Sequence, residues 1–199
     1  MTRKKAVTAA ELMAKLEADP DYVARRIARE EEHRREEAEL RRAEGPLLVE
    51  LRSAGFAIGS VWELVNTTAA YPEALPVLLD HLSRSYPPAV REGIARALAV
   101  PEAKFAWPAL VRLYRSESNE RTKDGLAVAI AAIADDEVIV DVIALARETL
   151  HGPSRLLLLS ALERSRDPRA RTTLVQLESD PELTEEVQVI LRRRKRGDH

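Results

Sequence analysis

Four histidines, 33 acidic residues and no cysteine set the chemistry open to this chain of 199 residues. Without cysteine there is no thiolate nucleophile, no disulfide and no Cys-based zinc site. The histidines (His33, His81, His151 and His199) form no metal-ligand spacing with one another. His81 lies in the apolar run "PVLLDHL". It reads as a partly buried, hydrogen-bonded histidine, because a metal or catalytic role would need a second ligand and none is near in sequence. No glycine-rich phosphate loop is present, and nothing points to a Ser-His-Asp arrangement. The paired acids Asp135-Asp136 and Glu185-Glu186 read as first-turn residues that complement a helix dipole. These readings assign no catalytic residue, no metal site and no cofactor, and the chain reads as a binding protein rather than an enzyme.

One block could contact phosphate. Arg192, Arg193, Arg194, Lys195 and Arg196 make the only dense run of like charge. They read either as cations placed favourably at a helix C-terminus or as a nucleic-acid patch with steeply salt-dependent binding. The formal net charge of −2 supplies no global field toward nucleic acid or anionic lipid. No apolar run approaches the roughly 20 residues that span a bilayer. The first 20 residues lack the apolar stretch of a signal peptide, and Glu11, Glu17 and Asp19 argue against a transit peptide. The expectation is a cytoplasmic protein.

Composition favours helices throughout. Apolar residues make up 45% and aromatics only 4%, with Gly at 7 residues, so the fold class reads as all-α with a continuous core. Thr8 and Glu11 form a capping-box pattern before Leu12, Met13 and Leu16. Asp19-Pro20 then reads as a stop and a new start. From 21 to 44 no breaker occurs, and opposite charges recur four apart (Arg26/Glu30, Glu30/Arg34, Glu31/Arg35, Glu37/Arg41). This predicts a solvated helix of roughly 35 Å. Residues 1–44 therefore form a charged N-terminal helical arm, leaving the protein a monomer or a dimer through that arm. Sustained apolar heptads for a coiled coil are missing. Gly45-Pro46 is expected to break the helix. Residues 45–68 then form an irregular capping pair, "PLLVELRSAG" followed by "VWELVN" with Ser60 and Glu63 as a second capping box.

A ruler of 32 residues organises the remainder. Pro76 and Pro108 lie 32 apart in two apolar stretches, "EALPVLLDHL" and "FAWPALVRLY". The same step aligns Leu78, Leu110, Val142 and Leu174, and beside them Leu79, Val111, Ile143 and Val175. In a second helix it aligns Ile94, Leu126, Leu158 and Ile190, followed by Ala95, Ala127, Leu159 and Leu191. Ala97, Ala129 and Ala161 form a further column, as do Leu98, Ile130 and Leu162. Two amphipathic helices repeated at such a period predict stacked hairpins, four of them over 69–196, with 197–199 as a tail. A proline inside a helix costs about 3 kcal/mol. The expectation is that Pro76 and Pro108 bend the first helices of their units, and that helices near Val140 and Thr172 run straighter.

Residues 74–99, "ALPVLLDHLSRSYPPAVREGIARALA", resemble a HEAT repeat. The likeness lies in the Leu-Pro of the first helix, in Val90-Arg91 opening the second, and in the Ala/Leu pattern after it. The second unit keeps Trp107-Pro108, and the signature decays toward the C-terminus. The resemblance implies a right-handed α-solenoid of HEAT-like helical hairpins. It leaves function open among scaffolds, adaptors, lyase or chaperone subunits and DNA glycosylases. In HEAT-like proteins the start of the second helix supports an Asp/Arg ladder. Here that column is Arg91, Lys123 and Arg155, and among the turn positions Ser85, Glu117, Thr149 and Pro181 only Glu117 offers a carboxylate. Arg91 and Arg155 are thus left without an obvious partner.

Two apolar residues stand where the repeat expects solvent. Phe105 shares a column with Glu73, Glu137 and Arg169, and Leu156 with Glu92, Asp124 and Gln188. Trp107 shares its column with Leu75 and Ile139 and is expected in the core. Trp62 is expected buried against the first regular unit. His81 stands in a column of Leu113, Leu145 and Leu177. The reading is a non-catalytic scaffold or adaptor that binds another protein through Arg91, Lys123, Arg155, Leu156, Phe105 and Glu117. The alternative is a DNA-glycosylase-like nucleic-acid binder using the basic C-terminal run.

Overall fold

A computed structural model describes residues 8–197, and all regular structure among them is helical. Helices α1 (Ala9–Glu17) and α2 (Pro20–Ser53) come first, followed by the short α3 (Trp62–Val65). Eight helices then alternate: α4 (Leu75–Leu82) and α5 (Pro88–Ala97), α6 (Trp107–Ser116) and α7 (Glu120–Ile133), α8 (Ile139–Arg147) and α9 (Arg155–Arg164), α10 (Pro168–Leu177) and α11 (Thr184–Gly197). None of them is long and apolar enough to cross a membrane.

The chain divides into two compact units, Met1–Arg42 and Ala43–His199. None of the described residues of the first unit is buried. Ion pairs four apart, Arg26 with Glu30 at 3.7 Å and Arg41 with Glu37 at 3.5 Å, lie along α2. Asp19 caps that helix by accepting from the Asp21 amide at 3.0 Å. The Glu11 side chain of the first capping-box pattern lies outside the described residues.

Gly45-Pro46 does not end the helix. α2 continues through Pro46 to Ser53. Pro46 is exposed, so the carbonyl it leaves unbonded can turn to water, while Leu47 and Leu51 are fully buried just beyond it. Burying two leucines is worth roughly 3–6 kcal/mol, which matches or exceeds a proline penalty of about 3 kcal/mol. The second capping box is also displaced. The Glu63 carboxylate accepts from the Gly59 amide at 2.8 Å, while the Ser60 hydroxyl donates to Glu44 at 3.1 Å.

The two repeat prolines start helices rather than bending them. Pro76 and Pro108 stand in the first turns of α4 and α6, each directly after a 3-10 turn (Pro72–Ala74 and Pro101–Ala106). A first-turn residue has no intrahelical acceptor for its amide, so the missing N–H costs little there. No 3-10 turn precedes α8 or α10.

In the second unit each first helix packs on its partner, α4 on α5, α6 on α7, α8 on α9 and α10 on α11. The second helices also follow one another: α3 touches α5, α5 touches α7, α7 touches α9 and α9 touches α11. The columns at Leu78, Ile94, Ala97 and Leu98 are buried in every unit they reach. The column at Leu79 opens toward the end, with Val111 and Ile143 buried but Val175 exposed. Trp107 is core, and its Nε1 donates to Asp141 of α8 at 3.1 Å. Trp62 is half-buried and lies over Gly93 of α5. Gly93 and Gly125, themselves 32 apart, stand where neighbouring chain comes close to α5 and α7. A Cβ on Gly125 would sit 2.9 Å from the Glu92 carbonyl oxygen, and one on Gly93 would sit 2.7 Å from Val61 Cγ1.

Candidate functional site

Three features of the second unit bring candidate side chains together: a polar ladder, a groove and a buried-histidine cluster. The ladder begins at the N-termini of the second helices, where the Arg91 and Arg155 heads reach the turn of the next unit and Lys123 reaches the turn of its own. Arg91 Nη1 donates to Glu117 Oε2 at 2.5 Å, and the other Glu117 oxygen accepts from the amides of Ser118 and Asn119. Lys123 donates to the Glu117 carbonyl at 3.2 Å and stands over the Tyr114 ring at 5.3 Å. Arg155 is 1% exposed. It donates to Asp180 at 2.6 and 3.3 Å, to Glu182 at 2.5 Å, and to the carbonyls of Gly152 and Ala146 at 3.1 and 3.2 Å. The guanidinium holds the Asp180 carboxyl below the usual carboxylate range.

Both arginines left without a partner by sequence therefore have one. Asp180 lies one residue before the ladder position Pro181, a shift that a rigid register overlooks. Arg155 presents no surface to a partner, and Arg91 Nη1, the Lys123 ammonium and the Glu117 carboxylate are engaged within the chain. The acids Asp135 and Asp136 also differ from expectation. They precede α8 as turn residues, where Asp135 pairs with Lys104 and Asp136 accepts from the Ser165 hydroxyl at 2.6 Å. Glu185 and Glu186 do occupy the first turn of α11.

The groove runs along α7, α9 and α11 and encloses about 380 Å³. Its apolar lining comes from Val128, Ala131, Leu156, Leu159 and Ile190, and its charged lining from Glu163, Arg164, Glu186 and Arg193. Leu156 is 39% exposed there, in a column that is polar in the other units. Phe105 is 54% exposed but lies in the 3-10 turn before α6 and is not among the residues that line the groove.

The basic C-terminal run is partly engaged. Arg193 pairs with Glu163 at 3.6 Å, Arg192 donates to the Gln188 carbonyl at 3.0 Å, and Arg194 donates to the Ser165 carbonyl at 2.7 Å. Ser165 follows the last turn of α9, so Arg194 caps that helix. The side chains of Lys195 and Arg196 lie outside the described residues.

The cluster forms around His81, which is fully buried in α4. Its Nδ1 lies 2.7 Å from the Tyr86 hydroxyl, and the rings stack at 5.8 Å. Its Nε2 lies 3.1 Å from Glu50 Oε1 of α2, out of line for a hydrogen bond, and has no hydrogen-bond partner. Arg84 joins Glu50 at 3.0 Å and also pairs with Asp80. His81 and then Arg84 hold the Glu50 carboxyl below its ordinary range. Sequence spacing gave no sign of Glu50, because the packing of α2, a helix 31 residues upstream, brings it to the imidazole.

A second buried histidine is internal. His151 Nε2 is 2.9 Å from Glu148, and its ring tilts against Tyr114 at 4.7 Å. Burial, followed by the Lys123 charge, pushes the His151 pKa down. Burial pushes the Tyr114 phenol up to about 12, and its hydroxyl lies 2.8 Å from the Ser154 hydroxyl. No protein-family model, no curated protein and no solved structure matches this chain.

Proposed function

We propose that this chain is a non-catalytic, cytoplasmic HEAT-like repeat protein, a right-handed α-solenoid that binds another protein along the inner face of its second helices. The observation that carries this reading is the groove on α7, α9 and α11, where Leu156 breaks a polar column to expose a leucine. An apolar floor with charges of both signs at its edge fits an amphipathic segment of a partner. The apolar contact supplies affinity, and the rim charges set register and on-rate. The ladder and the internal pairs keep this surface rigid, which lowers the ordering cost of binding.

The test is affinity capture with the full chain, repeated with Leu156→Glu. A single protein captured by the parent chain and lost with the variant, with the helical signal unchanged in circular dichroism, supports the reading. Retention of the same protein by the variant refutes it. A mobility-shift titration with salt examines the nucleic-acid alternative. Tight, salt-sensitive binding abolished by neutralising Arg192, Arg193, Arg194, Lys195 and Arg196 would replace the scaffold reading.

A further inference from the structure

We propose that Glu50, Asp80 and His81 bind one divalent transition-metal ion of the zinc class, through one imidazole nitrogen and two carboxylates. One ligand atom from each of the three lies within 4.8 Å of the others. Zinc takes nitrogen and oxygen ligands at about 2.0–2.2 Å, so the donors already lie close to the size of one coordination shell. The Glu50 and Asp80 side chains are 45% and 64% exposed, free to close by the ångström or so that tetrahedral zinc–ligand distances require and open to entry from solvent.

His81 turns this from an acidic surface cluster into a candidate site. The ring is buried and fixed by Tyr86, yet Nε2 has no in-line hydrogen-bond partner and faces Glu50 Oε1 at 3.1 Å. When Nδ1 donates to the Tyr86 oxygen, the Nε2 lone pair faces a carboxylate oxygen 3.1 Å away. Two acceptors at that distance repel, and a cation bound to both removes the repulsion. A ligating histidine normally has its other nitrogen held by an outer partner, and ligating carboxylates are themselves hydrogen-bonded. Tyr86 and Arg84 already fill those two roles. Arg84 also contests the carboxylates in the metal-free chain, which sets the affinity below that of a site built for metal alone. The imidazole donor favours zinc, cobalt and nickel over magnesium and calcium, which prefer all-oxygen shells.

The experiment is equilibrium dialysis of the full chain, stripped with chelator, against zinc chloride, with cobalt(II) absorbance as a second readout of coordination. The expected result is one zinc per chain, with Glu50→Gln and Asp80→Asn each raising Kd about tenfold or more. Tyr86→Phe is expected to weaken binding about tenfold through the lost outer contact. Because Glu50 and Asp80 are exposed, their variants keep the fold, so the test does not depend on replacing buried His81. Absence of stoichiometric zinc binding overturns the proposal, and so does zinc binding unchanged in both acid variants.

Discussion

Replacing Arg155 with methionine isolates the energetic role of the ladder. The substitution keeps most of the apolar stem but removes every N–H that now bonds Asp180, Glu182 and the carbonyls of Gly152 and Ala146. Removing one partner of a fully buried ion pair costs about 3–5 kcal/mol. Here the arginine is buried, but the Asp180 and Glu182 side chains are 13% and 44% exposed, so water rescues much of the orphaned carboxylate charge. The two carbonyls lose charge-assisted donors in a site that excludes most solvent. The expected loss is therefore about 2–3 kcal/mol, or a Tm lowered by about 5–10 °C for a unit of this size. Calorimetry or urea unfolding of Arg155→Met measures it, and Asp180→Asn alone should cost less, because Glu182 and both carbonyls remain. A loss below about 0.5 kcal/mol, the range of an exposed surface pair, would refute the inference that Arg155 clamps the last two units together.

Two further outcomes test the packing. Gly125→Ala should destabilise by about 1–2 kcal/mol, because the clash with the Glu92 backbone outweighs a helix-propensity gain of about 1 kcal/mol. Gly45→Ala meets nothing within 4 Å and should be neutral or stabilising in the same unfolding assay. His151 supplies a pH dependence. Its folded pKa is depressed, so the unfolded chain takes up the proton first. Stability is then full above the ordinary histidine value of about 6.5 and falls as pH drops below it, until the folded form also protonates. Unfolding measured across pH 7.5 to 5 should show this slope in the parent chain and a flatter one in His151→Gln.

The core columns were legible in the sequence because each rests on helical periodicity, a local property. Leu78, Ile94, Ala97 and Leu98 repeat at the spacing of one helix face, and that face is buried whatever the fine angle of packing. Gly93 and Gly125 share that register too, but only the packing shows what their missing side chains make room for. Helix boundaries were less legible. Whether Pro76 kinks a helix or begins one depends on where the preceding turn ends, and whether Pro46 breaks α2 depends on what Leu47 and Leu51 gain by burial. Neither quantity is local. Side-chain partnership was least legible. A guanidinium several bonds from its Cα can choose Asp180 over the residue one step along, and only the packed turn makes that choice.

The sequence by itself determined an all-helical chain, a charged N-terminal segment with no buried residue among those described, and a repeat whose apolar faces form the core. The tertiary structure alone decided that Arg155 is an internal clamp, that Leu156 lines a groove, and that Glu50 meets His81. The physical reason is the range of the forces involved. Periodic burial is written within one or two turns of chain, whereas ion pairs, grooves and ligand clusters arise from atoms that only packing brings within a few ångströms.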